Sequence, residues 1–189
     1  MTAPALNFNV LLVGGPGSGK TSFIRRFTTG EGPQKPTEKP KEHFHRVKLH
    51  LIVNGIKRIL YLNIAESNNI NASVCHARYD ATLLFYDVAE PYGNVLSLIS
   101  QLNVNMSRVR PEDLDNAYDC GPIIVCAAKS GENGSGSRVG DIITSLKSEG
   151  MIYDHIHTSA KTCYGLTRPF LVLARICYGP DTILDPGFD

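Results

Sequence analysis

Long apolar runs are missing from this 189-residue chain. None approaches the roughly 20 residues that a membrane-spanning helix needs, so no transmembrane segment is expected. Paired cysteines are missing too. The five cysteines, at 75, 120, 126, 163 and 177, form no C-x-x-C pair, and Cys126 and Cys177 lie inside apolar runs. An odd, scattered set predicts reduced thiols rather than a disulfide frame or a zinc site. With no signal peptide at the start and no terminal cysteine in the ending Leu184-Asp185-Pro186-Gly187-Phe188-Asp189, neither secretion nor a prenyl anchor is expected. An excess of one charge is also absent: 19 Lys and Arg against 18 Asp and Glu give +1, so no global basic field points to nucleic acid. The local exception is the stretch from Lys35 to His50, with five Lys or Arg and three His against two Glu. It reads as a solvated strand edge or as a docking surface for an acidic partner.

What is present organises itself around Gly14-Gly15-Pro16-Gly17-Ser18-Gly19-Lys20-Thr21, which fits G-x-x-x-x-G-K-[ST] at every fixed position. Glycines let a backbone wrap closely around phosphate oxygens and leave N–H donors at a helix start, where the macrodipole is positive. Gly15, Gly17, Ser18 and Gly19 are the expected cradle; Lys20 would reach the β- and γ-phosphates and the Thr21 hydroxyl would ligate Mg²⁺. The flanks agree, with a buried parallel strand predicted over Phe8 to Val13 and a helix from Ser22 to Thr28.

The remaining pattern predicts one domain over residues 1–189, without internal repeats. Gly30 to Pro40 is rich in Gly, Pro and charge and reads as a surface loop. Val47, Leu49, Leu51 and Val53 alternate with polar residues, Asn54-Gly55 follows, and Ile56 to Ile64 resumes an extended pattern: a hairpin with a type I′ turn. Ser67 to Asp80 reads as another loop, and Ala81 to Asp87 as a buried central strand. Val95, Leu98, Ile99, Leu102 and Met106 mark one face of a helix, Pro122 to Ala128 a buried strand, and Val139 to Leu146 a helix stopped at Gly150. Tyr153 to Thr158 is a short last strand before a closing helix that Pro169 helps to start. Strands alternating with helices give a doubly wound α/β sheet with an antiparallel hairpin at its edge.

Together these positions resemble the Ras-like small GTPases and, within them, the Ran family. The likeness runs through Gly19-Lys20-Thr21 and Phe23 to Gly30, through Pro122 to Lys129, and through Thr158-Ser159-Ala160-Lys161-Thr162 followed by Arg168 to Arg175. It implies a P-loop NTPase domain of the Ras-like G type that binds GTP or GDP with Mg²⁺. It also implies a nucleotide switch in nucleocytoplasmic transport, shared between nucleus and cytoplasm, with nuclear transport receptors and exchange or activating factors as partners. By resemblance Thr37 is the switch threonine that joins Thr21 on Mg²⁺; Lys129 lies along the base and the Ala160 N–H, between Ser159 and Lys161, meets a guanine oxygen.

Several positions depart from that pattern. Asn63-Ile64-Ala65-Glu66-Ser67 stands where the family has Asp-Thr-Ala-Gly-Gln. In that frame Asn63 keeps a carbonyl oxygen for the metal shell but no charge. Glu66 replaces a glycine beside the γ-phosphate, a repulsion of roughly 4 kcal/mol at about 4 Å and an effective dielectric of about 20. Ser67 is too short to orient the attacking water, and in small GTPases turnover is slow even with glutamine there. The tyrosine expected three residues before Thr37 is Gln34, and Ala128-Lys129-Ser130-Gly131 lacks the carboxylate that pairs with guanine, leaving Glu132 as its nearest substitute. Asp87, after an apolar strand, reads either as a strand-ending structural residue or as a Walker B carboxylate. The family carries a C-terminal extension with an acidic end, whereas this chain stops soon after its last helix, so regulation through such a tail is not expected. Three readings stay open: a Ran-like switch with weak or absent hydrolysis, a pseudo-GTPase interaction module without nucleotide, and a base-unselective phosphate-loop ATPase or kinase.

Overall fold

The computed structural model describes residues 5–32, 43–68, 79–107, 121–130 and 137–186. In chain order the elements are β1 (Leu6–Val13), α1 (Lys20–Thr29), β2 (His43–Val53), β3 (Ile56–Ser67), β4 (Ala81–Asp87), α2 (Tyr92–Ser107), β5 (Ile123–Ala128), α3 (Ser137–Ser148), β6 (Asp154–His157), α4 (Arg168–Tyr178) and β7 (Ile183–Leu184). The strands form one mixed sheet in the order β6-β5-β4-β1-β3-β2-β7. β3, β1, β4, β5 and β6 run parallel, and β2 runs antiparallel to β3 and β7. This is an α/β domain with four helices among the described residues.

Alternation along the central strands sends side chains to both faces, and both are covered. Val10 and Leu12 point with Leu83 and Phe85 to the layer of α1 and α4, where Phe23, Ile24, Phe170 and Leu173 are buried. Leu11 and Val13 point with Leu84 and Val125 to α2 and α3, against Val95, Ile99, Leu102, Ile143 and Leu146. An aromatic knot fixes α1: the Phe23 ring lies 4.9 Å from Phe85 and 5.4 Å from Phe170, and Phe27 lies 4.1 Å from Phe170. Burying each such ring contributes about 1.5 to 3 kcal/mol, so the helix that follows the glycine-rich loop is among the best-anchored parts of the chain.

The Asn54-Gly55 hairpin forms as its sequence predicts, with φ of 51° and 75° at the two turn residues and Val53 opposite Ile56. Its place is different. β2 is not the outermost strand, because β7 pairs with it at Leu51 and Ile52. Two residues are too few to show any period, so β7 carried no sequence signal. The loop expected over Gly30 to Pro40 lies largely, and that over Ser67 to Asp80 mostly, outside the described residues. Among the described residues no helix is long and apolar enough to cross a membrane.

Candidate functional site

The carboxyl ends of the parallel strands gather most of the residues singled out by sequence. β1 ends at Val13 and the glycine-rich loop begins there. A Cβ on Gly14 would collide with the Phe85 carbonyl of β4, so only glycine lets the loop leave the sheet this closely. Gly19 caps α1 at φ 95° with no side-chain cap, and no acidic residue stands in the helix's first turn. That end of α1 is thus electropositive and left open to an anion.

Lys20 is 2% exposed and turned into the loop. Its Nζ donates to the carbonyls of Gly14 (2.8 Å) and Gly15 (2.9 Å) and to Ser18 Oγ (3.1 Å). Burial pulls its pKa down to about 8, while the carboxylates of Glu66 and Glu90 oppose the fall, so it is an ammonium ion at neutral pH. A buried cation held at the centre of a glycine loop is the strongest chemical feature of the chain.

The Thr21 hydroxyl donates to Glu66 Oε1. Glu66 is 5% exposed and sits on the inward face of β3, in phase with Leu60, Leu62 and Ile64. Burial pushes its carboxyl up, but His45, the Thr21 hydroxyl and the Lys20 charge together hold it below the usual carboxylate range. His45 Nε2 stands 3.6 Å from Glu66 Oε2, close enough for an ion pair when the imidazole is protonated, and that oxygen accepts no hydrogen bond among the described residues.

This geometry corrects two expectations. Asn63 is not beside Thr21: it lies three residues back along β3 and on the opposite face, and its Nδ2 donates to Asn9 Oδ1 at 3.1 Å. Glu66 does not sit as a bare charge in a glycine position; it is the carboxylate bonded to Thr21. A three-residue offset along a strand reverses the side-chain face, which is why the motif frame chosen from sequence brought the wrong residue to the loop. Ser67 closes β3 opposite Val13, on the face away from Glu66. His45 was missed altogether. Its signal was there to read, since it occupies an inward position in phase with Val47, Leu49 and Leu51, and Glu66 does the same on the next strand.

A second cluster lies beside the first. Asp87 ends β4 opposite Ala128, and the Cβ that Gly19 lacks would come within 3.1 Å of the Ala128 methyl, so loop and β5 nearly touch. Lys129 takes φ 59° and donates from Nζ to Asp87 Oδ2 at 2.6 Å. With one carboxylate oxygen accepting from Lys129 and the other from the Ala89 N–H at 3.0 Å, Asp87 is the strand-ending structural residue of the two readings. Burial raises its carboxyl only in part, and the Lys129 and Ala89 contacts leave it below the ordinary range. Ser130 N–H donates to the Thr158 carbonyl at 3.1 Å, and its Oγ lies 3.0 Å from His157 Nδ1. Those bonds set Lys129 and Ser130 next to Ser159, Ala160 and Lys161, of which Ser159 is buried, Ala160 half-buried and Lys161 exposed. Arg26 Nε donates to Cys163 Sγ at 3.0 Å, which ties α1 to that turn.

Thr37 and Glu132, with Gln34 and Gly131, lie outside the described residues. Among those described, no group of three or more His, Cys, Asp or Glu side chains converges as a metal site. Mg²⁺ needs no such group, because it keeps several waters and uses one or two protein oxygens with the substrate's phosphates. Thr21 and Glu66 fit that demand, given the buried Glu66 oxygen without a hydrogen bond. A cleft of about 330 Å³ opens at the far end of the strands, lined by Asn103, Pro122, Ile123, Met151 and Tyr153, but the one cation among its described lining residues, Lys147, is bound to Asp154 at 2.7 Å. No protein-family model matches the chain.

Proposed function

We propose that this chain is a phosphate-loop nucleotide-binding domain of the small-GTPase type, a Ran-like switch whose hydrolysis is weak or absent. The observation that carries the reading is Lys20, buried and charged inside a glycine loop that leads into an uncapped helix N-terminus. An incoming phosphate takes over its ammonium donors from the Gly14 and Gly15 carbonyls and adds the helix dipole to them. Thr21 and Glu66 would hold Mg²⁺, which supplies charge neutralisation for the phosphates when bound. In this frame Glu66, not Asn63, is the metal-side carboxylate, and the water-orienting position moves beyond Ser67 to Ile70, an aliphatic residue that cannot orient water. Low turnover follows.

The nucleobase side supports less. Lys129 is committed to Asp87 and no carboxylate in the described Ala128-Lys129-Ser130 segment is available for guanine. GTP or GDP as ligand, nucleocytoplasmic transport as setting, and transport receptors with exchange or activating factors as partners rest on the likeness to Ran alone. A second reading, a pseudo-GTPase interaction module, draws on the bond between Thr21 and Glu66, which occupies a group the nucleotide state needs.

The test is to denature protein purified without added nucleotide, identify any released base by chromatography, and titrate the emptied chain with fluorescent GDP, GTP and ATP in Mg²⁺. Binding that disappears in Lys20→Ala supports the nucleotide reading. No binding of any nucleotide at high micromolar concentration leaves the interaction module.

A further inference from the structure

Strand pairing alone brings two metal-ligating side chains together near the phosphate end. β2 and β3 run antiparallel with His45 opposite Ile64, so His45 and Glu66 are diagonal neighbours on the inward face of the hairpin. The sheet fixes both backbones, and His45 Nε2 stands 3.6 Å from Glu66 Oε2. That separation is too long for a hydrogen bond. Oε2 is buried and accepts no hydrogen bond among the described residues, an orphaned oxygen of the kind that binds water or an ion. The other oxygen of Glu66 accepts from the Thr21 hydroxyl, which leaves Oε2 turned toward His45.

The length of the gap separates one kind of ion from another. Two ligands each about 2.0–2.2 Å from one ion at the tetrahedral angle stand roughly 3.3–3.6 Å apart. Neighbouring ligands of octahedral Mg²⁺, each about 2.0–2.1 Å from it, stand roughly 2.8–3.0 Å apart. The observed 3.6 Å therefore fits a tetrahedral ion and is too wide for Mg²⁺. The donor atoms agree, because imidazole nitrogen suits Zn²⁺ and its first-row neighbours whereas Mg²⁺ takes oxygen. Thr21 then has the part of an outer partner that holds a ligating carboxylate in place. His45 keeps 27% of its side chain exposed, so the pair lies just beneath the surface rather than in the core.

We propose that His45 and Glu66 form a transition-metal site that takes Zn²⁺ in preference to Mg²⁺, with water completing the coordination. Two protein ligands are fewer than the four of a structural zinc site, so the ion is exchangeable and the fold does not depend on it. The inference does not rest on nucleotide binding, since both ligands come from the hairpin and neither from the glycine loop. It bears on the proposed nucleotide state all the same. Mg²⁺ there would draw on the Glu66 carboxylate, and Zn²⁺ would compete for it.

The probe is the metal alone. The full chain, stripped with chelator and kept free of nucleotide, is titrated with Zn²⁺ in competition with a chromophoric zinc indicator. Zn²⁺ is expected to stay bound against at least about a hundredfold excess of Mg²⁺. His45→Gln is expected to weaken Zn²⁺ binding by at least about tenfold, while His155→Gln, a control for zinc caught by another histidine, changes it by less than about twofold. Two readouts use the native chain and so survive a variant that fails to fold. Co²⁺ in place of Zn²⁺ should give the strong visible absorption of a tetrahedral ion, and the His45 Nε2 resonance in nitrogen NMR should shift when Zn²⁺ is added. Displacement of Zn²⁺ by that excess of Mg²⁺, zinc binding unmoved by His45→Gln, or a His45 resonance unmoved by Zn²⁺ overturns the proposal.

Discussion

The phosphate half and the base half of the candidate site are built from the same ends of the same sheet, yet they differ in kind. Around Lys20, Thr21, Glu66 and His45 the ionisable groups are largely buried and close to one another, with Glu66 accepting from Thr21 and lying 3.6 Å from His45. Around Lys129, Ser159, Ala160 and Lys161 the groups are more open, and the one described carboxylate at hand, Asp87, is already taken by Lys129. Desolvated, pre-set electrostatics are what bind an anion with strength, while an exposed ion pair contributes little. Under the proposed function, the difference describes a domain that holds phosphates but is poorly equipped to choose the base attached to them.

The sharpest way to break that contrast is at Lys20. Lys20→Ala removes a charged hydrogen-bond donor from a low-dielectric loop and is expected to weaken nucleotide binding by at least about a hundredfold, measured by titration with a fluorescent nucleoside diphosphate. A loss of only a few fold would mean that the loop does not bind through its lysine. Next comes Glu66→Gln, which keeps an acceptor for Thr21 but discards the charge. The Mg²⁺ dependence of binding is expected to fall by about tenfold, with little change in affinity measured in chelator.

A smaller effect belongs to stability, and to the base half. Tyr86 Oη lies 3.0 Å from His155 Nε2. Burial drags the His155 pKa down to about 4, with the His157 and Lys147 charges assisting and Asp154 opposing. The folded chain thus keeps His155 neutral where the unfolded chain, with an ordinary value near 6.5, takes up a proton. The unfolded state binds more protons between those values, so stability falls as pH drops from about 6.5 to about 4 and the effect levels off below. Discounted for partial exposure, it amounts to on the order of 1 to 2 kcal/mol. Denaturant unfolding of the native chain and of His155→Gln at pH 7 and 4.5 isolates it, because the other acids titrate in both. Equal pH slopes would count against the buried neutral imidazole.

Most of the strands and helices of the α/β domain were legible in the sequence, because apolar runs, the Asn54-Gly55 turn and the helical stripe from Val95 carry their own period. The glycine loop was legible from its fixed spacing, and at Gly14 few other residues survive the close passage past Phe85. What escaped was register. A motif frame sliding by three residues along β3 exchanged Asn63 for Glu66, and only the depth to which β3 runs beside β1 decides between them. β7 escaped because it is short. The pairing of Asp87 with Lys129 escaped because it joins two strand ends 42 residues apart in sequence, with no local pattern to mark it.

The finest test of the contrast is Lys129. If the base half has lost its selecting role, Lys129→Met keeps a flat aliphatic surface for a purine and gives up only the bond to Asp87. Lys129 is 54% exposed there, where an ion pair is worth between nothing and about 1 kcal/mol. Binding of GDP and ADP is then expected to change by less than about threefold, and the two affinities to differ by less than about tenfold both before and after the substitution, since the described Ala128-Lys129-Ser130 segment holds no carboxylate to reject adenine. A loss of tenfold or more for GDP with ADP unmoved would reverse the conclusion. It would mean that Lys129 leaves Asp87 when nucleotide arrives, and that the base half becomes a guanine site only with ligand in place.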